Sequence, residues 1–294
     1  AGIATSDGRS IRAHTEMGLV GQAFQEYDLS RLPGYMSIGH TRYSTTGSSN
    51  ISNAQPIISK GTGAEIALGH NGNVINALEL REELFDWGLS FESTADSEII
   101  AHLISNAPAD NWSDRAAYAM RRLQGAYSLV IMTVDKLVGM RDPLGVRPLC
   151  IGRLNGGWVL ASESCALDHI GADYVREVEP GEAVVIDDDG LKSVYKKSSN
   201  GSFGNCVFEQ IYFARPDSIL DGSLVYSSRM AMGAELAKEF PVDADVVIGV
   251  PDSATAGAVG YSQESGIPFT EGLVKNRYVG RTFILPDQRL RELG

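Results

Sequence analysis

Lys275, Arg277 and Arg281 place three cations within the run Lys275–Phe283 (KNRYVGRTF) of a chain whose net charge is -12. Such a stretch does not pack a core, because its charges would have to leave water unpaired. It reads as a loop that closes over an anionic ligand, with Gly280 allowing backbone angles closed to other residues. Four further segments carry residue types that do chemistry: Gly39–Gly47 (GHTRYSTTG), Leu68–Asn73 (LGHNGN), Thr94–Glu98 (TADSE) and Gly249–Ser253 (GVPDS).

Each segment has a plain reading beside the chemical one. Arg42 offers a planar fork suited to a carboxylate, or is a surface arginine. His70-Asn71-Gly72-Asn73 is a hairpin turn, or an oxyanion hole in which the Asn71 amide and the Gly72 N–H aim at one developing negative oxygen. Asp96 caps a helix, or receives a substrate ammonium. Taken together, Arg42 for a carboxylate, Asp96 for an ammonium and Asn71 with Gly72 for an amide carbonyl describe a glutamine pocket. Pro251-Asp252-Ser253 follows an apolar strand and precedes a helix. It is a cap, or a phosphate or pyrophosphate site at the carboxyl end of a strand. The loop bearing Lys275, Arg277, Tyr278 and Arg281 follows one strand later and favours the second reading.

Hydrophobic residues make up 43% and charged residues 21% of the chain, as in globular proteins. The negative net charge argues against nucleic acid or an anionic membrane as partner. No apolar run approaches the ~20 residues of a membrane helix, and no charged-then-apolar leader opens the chain. Cys150, Cys165 and Cys206 are odd in number and widely spaced, which favours free thiols in a reducing compartment, the cytoplasm. Each is better read as a packed thiol than as a nucleophile.

The elements needed to position these groups fall into two stretches. Residues 1–200 alternate strands and hairpins with a few helices. Strands are predicted over 36–43, 66–74, 126–134, 136–140, 148–154, 158–162, 182–186 and 191–196, and helices over 77–87, 97–106 and 115–123. This implies a layered α+β domain. Residues 201–294 switch to helix 227–240, apolar strand 245–250, helix 255–265 and strand 268–274, the βαβ rhythm of a parallel sheet. The Ser198–Gly204 stretch reads as the linker. Starting without Met and stopping after a helical stretch, the chain reads as an internal piece of a longer protein.

The first three segments, with Arg141-Asp142-Pro143, Arg147-Pro148-Leu149, Ala161-Ser162-Glu163 and Glu179-Pro180-Gly181-Glu182, resemble the glutaminase domain of class II, N-terminal-nucleophile amidotransferases. The resemblance implies a four-layer α+β domain in which an N-terminal Cys attacks the amide and its own α-amino group is the base. It further implies that Arg42 and Asp96 hold the glutamine α-groups, Thr45 lines the pocket, and Asn71 and Gly72 form the oxyanion hole. The N-terminal Cys and the HRGQ-like stretch are absent from residues 1–294, and the internal cysteines cannot offer a free α-amino group.

Tyr212–Ser218 (YFARPDS) and Lys275–Ile284 (KNRYVGRTFI) extend the resemblance to the glutamine phosphoribosylpyrophosphate amidotransferase family. This implies a glutaminase domain over 1–200 followed, over 201–294, by the first part of an α/β parallel-sheet phosphoribosyltransferase domain. The implied reaction hydrolyses glutamine, passes ammonia inside the protein and displaces pyrophosphate from phosphoribosylpyrophosphate. Pro251, Asp252 and Ser253 would form the pyrophosphate loop, with Ser253 near the Mg²⁺ carried by the substrate. One branch of the family holds a [4Fe–4S] cluster, for which Cys206 would be the first ligand. Purine nucleotides as feedback inhibitors and a homo-oligomer, a tetramer, are also implied, as is inactivity of residues 1–294 taken alone. The alternatives are a sugar-isomerising amidotransferase, which should lack KNRYVGRTFI, and a catalytically inactive relative or binding module.

Overall fold

A computed structural model describes residues 1–42, 50–197, 204–276 and 288–292, the side chains of residues 22, 290 and 291 aside. It divides into two compact units: Ala1–Ser162 with Ala166–Asn205, and Glu163–Cys165 with Cys206–Gly294.

The first unit runs β1 (Gly2–Ser6), β2 (Ile11–Thr15), α1 (Val20–Ala23), α2 (Glu26–Ser30), β3 (Met36–His40), β4 (Ile57–Lys60), β5 (Glu65–Val74), α3 (Ala77–Asp86), α4 (Asp96–Ser105) and α5 (Trp112–Arg122). It continues with β6 (Gly125–Met132), β7 (Leu137–Arg141), β8 (Cys150–Leu154), β9 (Gly157–Ala161), α6 (Ser164–Ile170), β10 (Asp173–Glu177), β11 (Glu182–Asp187) and β12 (Gly190–Lys196). One antiparallel sheet has six strands in the order β12-β11-β7-β6-β5-β4, and two smaller sheets are ordered β2-β1-β3 and β10-β8-β9.

Strand alternation builds the layers. On β5, β6, β7 and β11, the side chains of Ile66, Leu68, Leu129, Ile131, Val138, Met140, Ala183 and Val185 share a core with Leu84 of α3, Ile100 and Leu103 of α4, and Met120 of α5. The intervening residues Ala67 and Met132 turn to the opposite face and pack on Ala4 and Ile38. Val184 on that face packs on Leu149 and Ile151. The far side of β8 carries Cys150, which packs on Leu167 of α6 and on Ala172. The order is helix, sheet, sheet, helix. Each fully buried Leu or Ile contributes about 1.5–3 kcal/mol to holding these layers.

A buried arginine closes the helix layer. Arg115 is 4% exposed. Its guanidinium donates to the carbonyls of Ile104, Ala107, Gly63 and Ala109 at 2.7, 3.3, 3.2 and 2.6 Å. These include the C-terminal carbonyl end of α4, which has no partners within its own helix. At the same, N-terminal end of α5, Asn111 caps the helix by accepting from Asp114 N at 2.9 Å.

The second unit contains a single turn of π-helix (Glu209–Phe213), the hairpin β13 (Ile219–Leu220) and β14 (Ser223–Leu224), α7 (Val225–Glu239), α8 (Thr255–Ser265) and α9 (Gln288–Glu292). Its YFARPDS segment is densely hydrogen-bonded. Glu163 Oε2 accepts from Arg215 N at 2.8 Å and Ser218 Oγ at 2.7 Å. Buried Arg229 of α7 donates to the carbonyls of Gln210 and Ala214 at 2.7 and 2.8 Å.

The apolar strand predicted over 245–250 and its neighbour over 268–274 do not form as strands. Among the described residues they meet in one parallel bridge, Val247 with Phe269. Val246, Ile248 and Val250 are 52%, 45% and 63% exposed. An interior parallel strand needs hydrogen-bonding neighbours and covered faces, and this run has one partner residue. The predicted linker lies outside the described residues except for Gly204.

Candidate active site

β5 is the scaffold of the site. Asn71 and Gly72 lie within this strand, opposite Ser128 and Tyr127 of β6. The Asn-Gly pair is therefore no hairpin turn. Gly72 has φ 155°, and a Cβ there would overlap the Ala126 carbonyl oxygen. The pairing thus excludes a side chain at this position.

β4 pairs only as far as Leu68 of β5, so the following residues have a strand neighbour on one side alone. Their outward N–H groups go to side chains. His70 N donates to Gln55 Oε1 at 2.7 Å, and Val74 N to Asp96 Oδ2 at 3.1 Å. By strand alternation the Gly72 N–H points to the same edge, between those two.

The Asn71 carboxamide is fixed by Arg147. Its Oδ1 accepts from Arg147 Nη2 at 2.8 Å and Nε at 3.2 Å. A guanidinium has donors only, so the atom facing it is the oxygen and the Asn71 NH2 points away. By the alternation of β5, Asn71 lies on the face that meets the second sheet.

Asp96 opens α4 but does not cap it. The N-cap is Ala95, and no side chain caps this helix. The Asp96 carboxylate instead reaches the end of β5 and stands 3.7 Å from His70 Nδ1, which also contacts Ser97 Oγ at 3.2 Å. Burial alone would raise the Asp96 carboxyl. The His70 ring, with the backbone N–H groups of Val74 and Ser97, outweighs it and holds the group below the usual carboxylate range. Asp96 is an anion at neutral pH.

Arg42 is half-buried two residues beyond β3. β3 meets β5 through His40, whose Nε2 lies 3.0 Å from the His70 carbonyl. The carbonyl can only accept, so Nε2 carries the proton. Burial first, then the charges of the His70 ring and Arg42, lower His40 to about 4. An imidazole in the unfolded chain titrates near ~6.5. The folded value is depressed, so the stability from neutral His40 is complete above about pH 6.5 and is lost as pH falls toward about 4. The expected loss is about 2–3 kcal/mol across that window. His40→Gln should flatten it, as measured by denaturant melts between about pH 4.5 and 7. An identical slope in the variant would exclude His40 as its source.

In the first unit, then, the structure joins Asn71, Gly72 and Asp96 around the end of β5, and Arg42 follows two residues after β3, whose His40 meets the His70 carbonyl of β5. Thr45 lies outside the described residues. His40, His70 and Arg147 were not singled out by sequence as site residues, although the GHTR, HNGN and RPL words contain them.

In the second unit, Pro251, Asp252 and Ser253 form the turn before α8. The N-cap of α8 is Ala254, without a side-chain cap, so Asp252 and Ser253 do not take the ordinary capping role. Lys275 Nζ meets Asp252 Oδ2 at 2.7 Å, with both side chains about half-exposed or more. Such a pair contributes under about 1 kcal/mol and leaves Lys275 available to a stronger anion. Arg277, Tyr278 and Arg281 lie outside the described residues. Cys206 is a part-exposed free thiol. Among the described residues no three His, Cys, Asp or Glu side chains gather as a metal site. The described side chains therefore hold no complete ligand set for an iron–sulfur cluster, whereas a magnesium ion carried by a phosphate ligand would need few protein ligands.

No described helix is long and apolar enough to cross a membrane. Residues 40–169 match the glutamine amidotransferase domain model. The chain is 50% identical over its full length to the amidophosphoribosyltransferase of Synechococcus elongatus, of which it covers 61%. It is 48% identical over 99% of its length to that of Archaeoglobus fulgidus, of which it covers 64%. Among solved structures it superposes on glutamine phosphoribosylpyrophosphate amidotransferase from B. subtilis, complexed with ADP and GMP, with a TM-score of 0.88 and 44% identity, covering 100% of this chain and 64% of that one. The chain spans about three fifths of the length of these relatives. From end to end, in sequence and in fold, residues 1–294 are similar to amidophosphoribosyltransferases, and the first unit has the four-layer architecture of their N-terminal-nucleophile glutaminase domain.

Proposed function

We propose that the complete protein containing this chain converts glutamine, phosphoribosylpyrophosphate and water into 5-phosphoribosylamine, glutamate and pyrophosphate, the first committed step of purine synthesis. Residues 1–200 would be the glutaminase domain and 201–294 the opening part of the phosphoribosyltransferase domain. The observation that carries this reading is the Asn71 amide. Its oxygen accepts from Arg147, so its NH2 points the other way and would in this reading meet a substrate carbonyl, and the Gly72 N–H opens on the edge of the same strand.

In this reading both groups donate to the oxygen of the glutamine carboxamide as a nucleophile adds to its carbon. Donors aimed at a charge that develops only in the transition state lower the barrier without tightening substrate binding. Asp96, held ionised, would receive the substrate ammonium, and Arg42 its carboxylate, with Thr45 lining the pocket. The nucleophile would be an N-terminal Cys, so residues 1–294 alone would be inactive. Ammonia would then pass within the protein, where exclusion of water keeps it from protonation.

At the second centre Pro251, Asp252, Ser253, Lys275, Arg277, Tyr278 and Arg281 would hold the pyrophosphate. Mg²⁺ would enter with the substrate near Ser253 and neutralise the leaving charge. Cys206 would be one ligand of a [4Fe–4S] cluster, completed by residues outside this chain. The ADP and GMP bound to the B. subtilis relative support feedback inhibition by purine nucleotides. A homo-oligomer, a tetramer, and a cytoplasmic setting complete the reading, the latter supported by three free thiols.

The test is to purify the complete protein and assay glutamate release, and phosphoribosylamine formation with glutamine or with ammonia. Both activities are expected, as are inhibition by purine nucleotides and bound iron with broad visible absorption. A complete protein without either activity would instead be an inactive relative, and one without iron would lie outside the cluster branch. Arg42→Ala should raise the KM for glutamine by roughly 10-fold or more, through loss of a bidentate carboxylate contact, while ammonia-dependent synthesis persists. Equal loss of both activities would make Arg42 structural.

A further inference from the structure

The Arg141–Leu149 segment (RDPLGVRPL) stands out in the sequence, yet none of its residues touches substrate in the proposed chemistry. In the structure it is a tightly braced loop between β7 and β8. The Asp142 carboxylate accepts from Leu144 N at 3.0 Å, Val146 N at 3.1 Å and Tyr127 N at 3.3 Å. Arg141, 4% exposed, donates to Gly145 O, Arg147 O and Val178 O at 2.9, 2.9 and 2.8 Å and pairs with Glu177 at 2.9 Å. Glu179-Pro180-Gly181-Glu182 braces the loop from the other side, with Gly181 N donating to the Asp142 carbonyl at 2.9 Å.

All this bracing converges on Arg147. Its carbonyl also accepts from Ser128 Oγ at 2.8 Å, and Ser128 is the cross-strand partner of Asn71. With its backbone pinned there, the Arg147 guanidinium reaches Asn71 Oδ1 through two N–H groups. An asparagine amide has two faces of similar shape and opposite polarity. Flipped, Asn71 would present its carbonyl oxygen, which repels a developing oxyanion. Against a guanidinium the flip is blocked, because two donors would then face each other.

We propose that Arg147 is a positioning residue that locks the Asn71 carboxamide with its NH2 toward the substrate carbonyl, the RDPLGVRPL loop serving to hold Arg147 in place. The proposal rests on the oxyanion-hole reading of Asn71. Arg147 acts through Asn71 and touches no reacting atom.

The test is a double-mutant cycle in the complete protein, with glutamine hydrolysis as readout and ammonia-dependent synthesis as control for folding. Arg147→Ala should lower kcat by about 10- to 100-fold, the cost of losing orientation of one catalytic group, with little change in KM. On an Asn71→Ala background the same change should cost almost nothing, because the group it orients is gone. Arg147→Lys, which keeps one donor on Oδ1, should recover part of the rate and serves where Arg147→Ala does not fold. Costs that multiply in the double variant would show that Arg147 acts independently of Asn71, by charge or by fold, and would overturn the proposal. So would full kcat in Arg147→Ala. Full kcat in Asn71→Ala alone would instead remove the oxyanion-hole reading, and this inference with it.

Discussion

Asn71→Ala in the complete protein should lower kcat for glutamine hydrolysis by roughly 10²–10³, with KM nearly unchanged and ammonia-dependent synthesis intact. The size is that of one oxyanion donor removed from a preorganised site. The split follows from position. Asn71 is an interior residue of β5, paired through its backbone to Ser128, so truncating its side chain leaves the ladder in place. The truncation gives up the hydrogen bonds from the Arg147 guanidinium and leaves the apolar core untouched. A loss of folding or of the ammonia-dependent reaction would mean that Asn71 anchors the Arg147 loop and does no chemistry. An unchanged kcat would leave HNGN as a strand segment without a catalytic part.

How much of this was legible in the sequence depends on the range of the interaction. The period-2 pattern over 66–74 and the helical spacing over 77–87, 97–106 and 115–123 reflect burial on one face of a single element. The structure places those elements within a few residues of where the pattern put them. What the pattern could not give is the context of a local word. Among the described residues the chain has two Asn-Gly pairs of the same local appearance. Asn155-Gly156, with φ values of 50° and 83°, is the two-residue turn between β8 and β9. Asn71-Gly72 lies in mid-strand because β6 runs alongside it. No local rule separates the two. The difference is set by a partner strand more than fifty residues away, whose Ala126 carbonyl occupies the space of the missing Cβ.

The same limit explains the candidate site. Asp96 reads as a cap because Thr-Ala-Asp-Ser is cap chemistry, but its acceptor capacity goes to Val74, 22 residues earlier. Arg147 reaches across 76 residues to Asn71, and only the fold brings RPL to HNGN. In the second unit the sequence erred in the other direction. Val246–Val250 is apolar enough for an interior strand, but hydrophobicity records what a segment needs, not whether its neighbours are present.

Gly72→Ala should have a different and larger effect than Asn71→Ala: it should destabilise the first unit itself. The added Cβ would overlap the Ala126 carbonyl oxygen and crowd Ala126 C and Tyr127 Cα, all of them backbone atoms of the neighbouring strand. A flexible side chain could swing aside, but a paired strand cannot move without opening its ladder. The φ of 155° adds strain, because residues with a Cβ rarely adopt it. Overpacking typically costs about 1–3 kcal/mol and a strained backbone another 1–3, so the expected loss is about 2–6 kcal/mol. That corresponds to a fall in Tm of roughly 10 °C for a unit of this size. Glutamine hydrolysis should vanish even in the fraction that stays folded, since moving β5 turns the Gly72 N–H away from its edge. Gly156→Ala is the control: its φ of 83° is strained, but a Cβ there meets nothing within 4 Å. That variant should lose only about 1–2 kcal/mol and keep its rate. Thermal melts of the two variants beside the parent decide the matter. Equal Tm values for Gly72→Ala and the parent would show that β5 and β6 can separate to admit a side chain, and the rigid ladder assumed for the oxyanion donors would have to be abandoned.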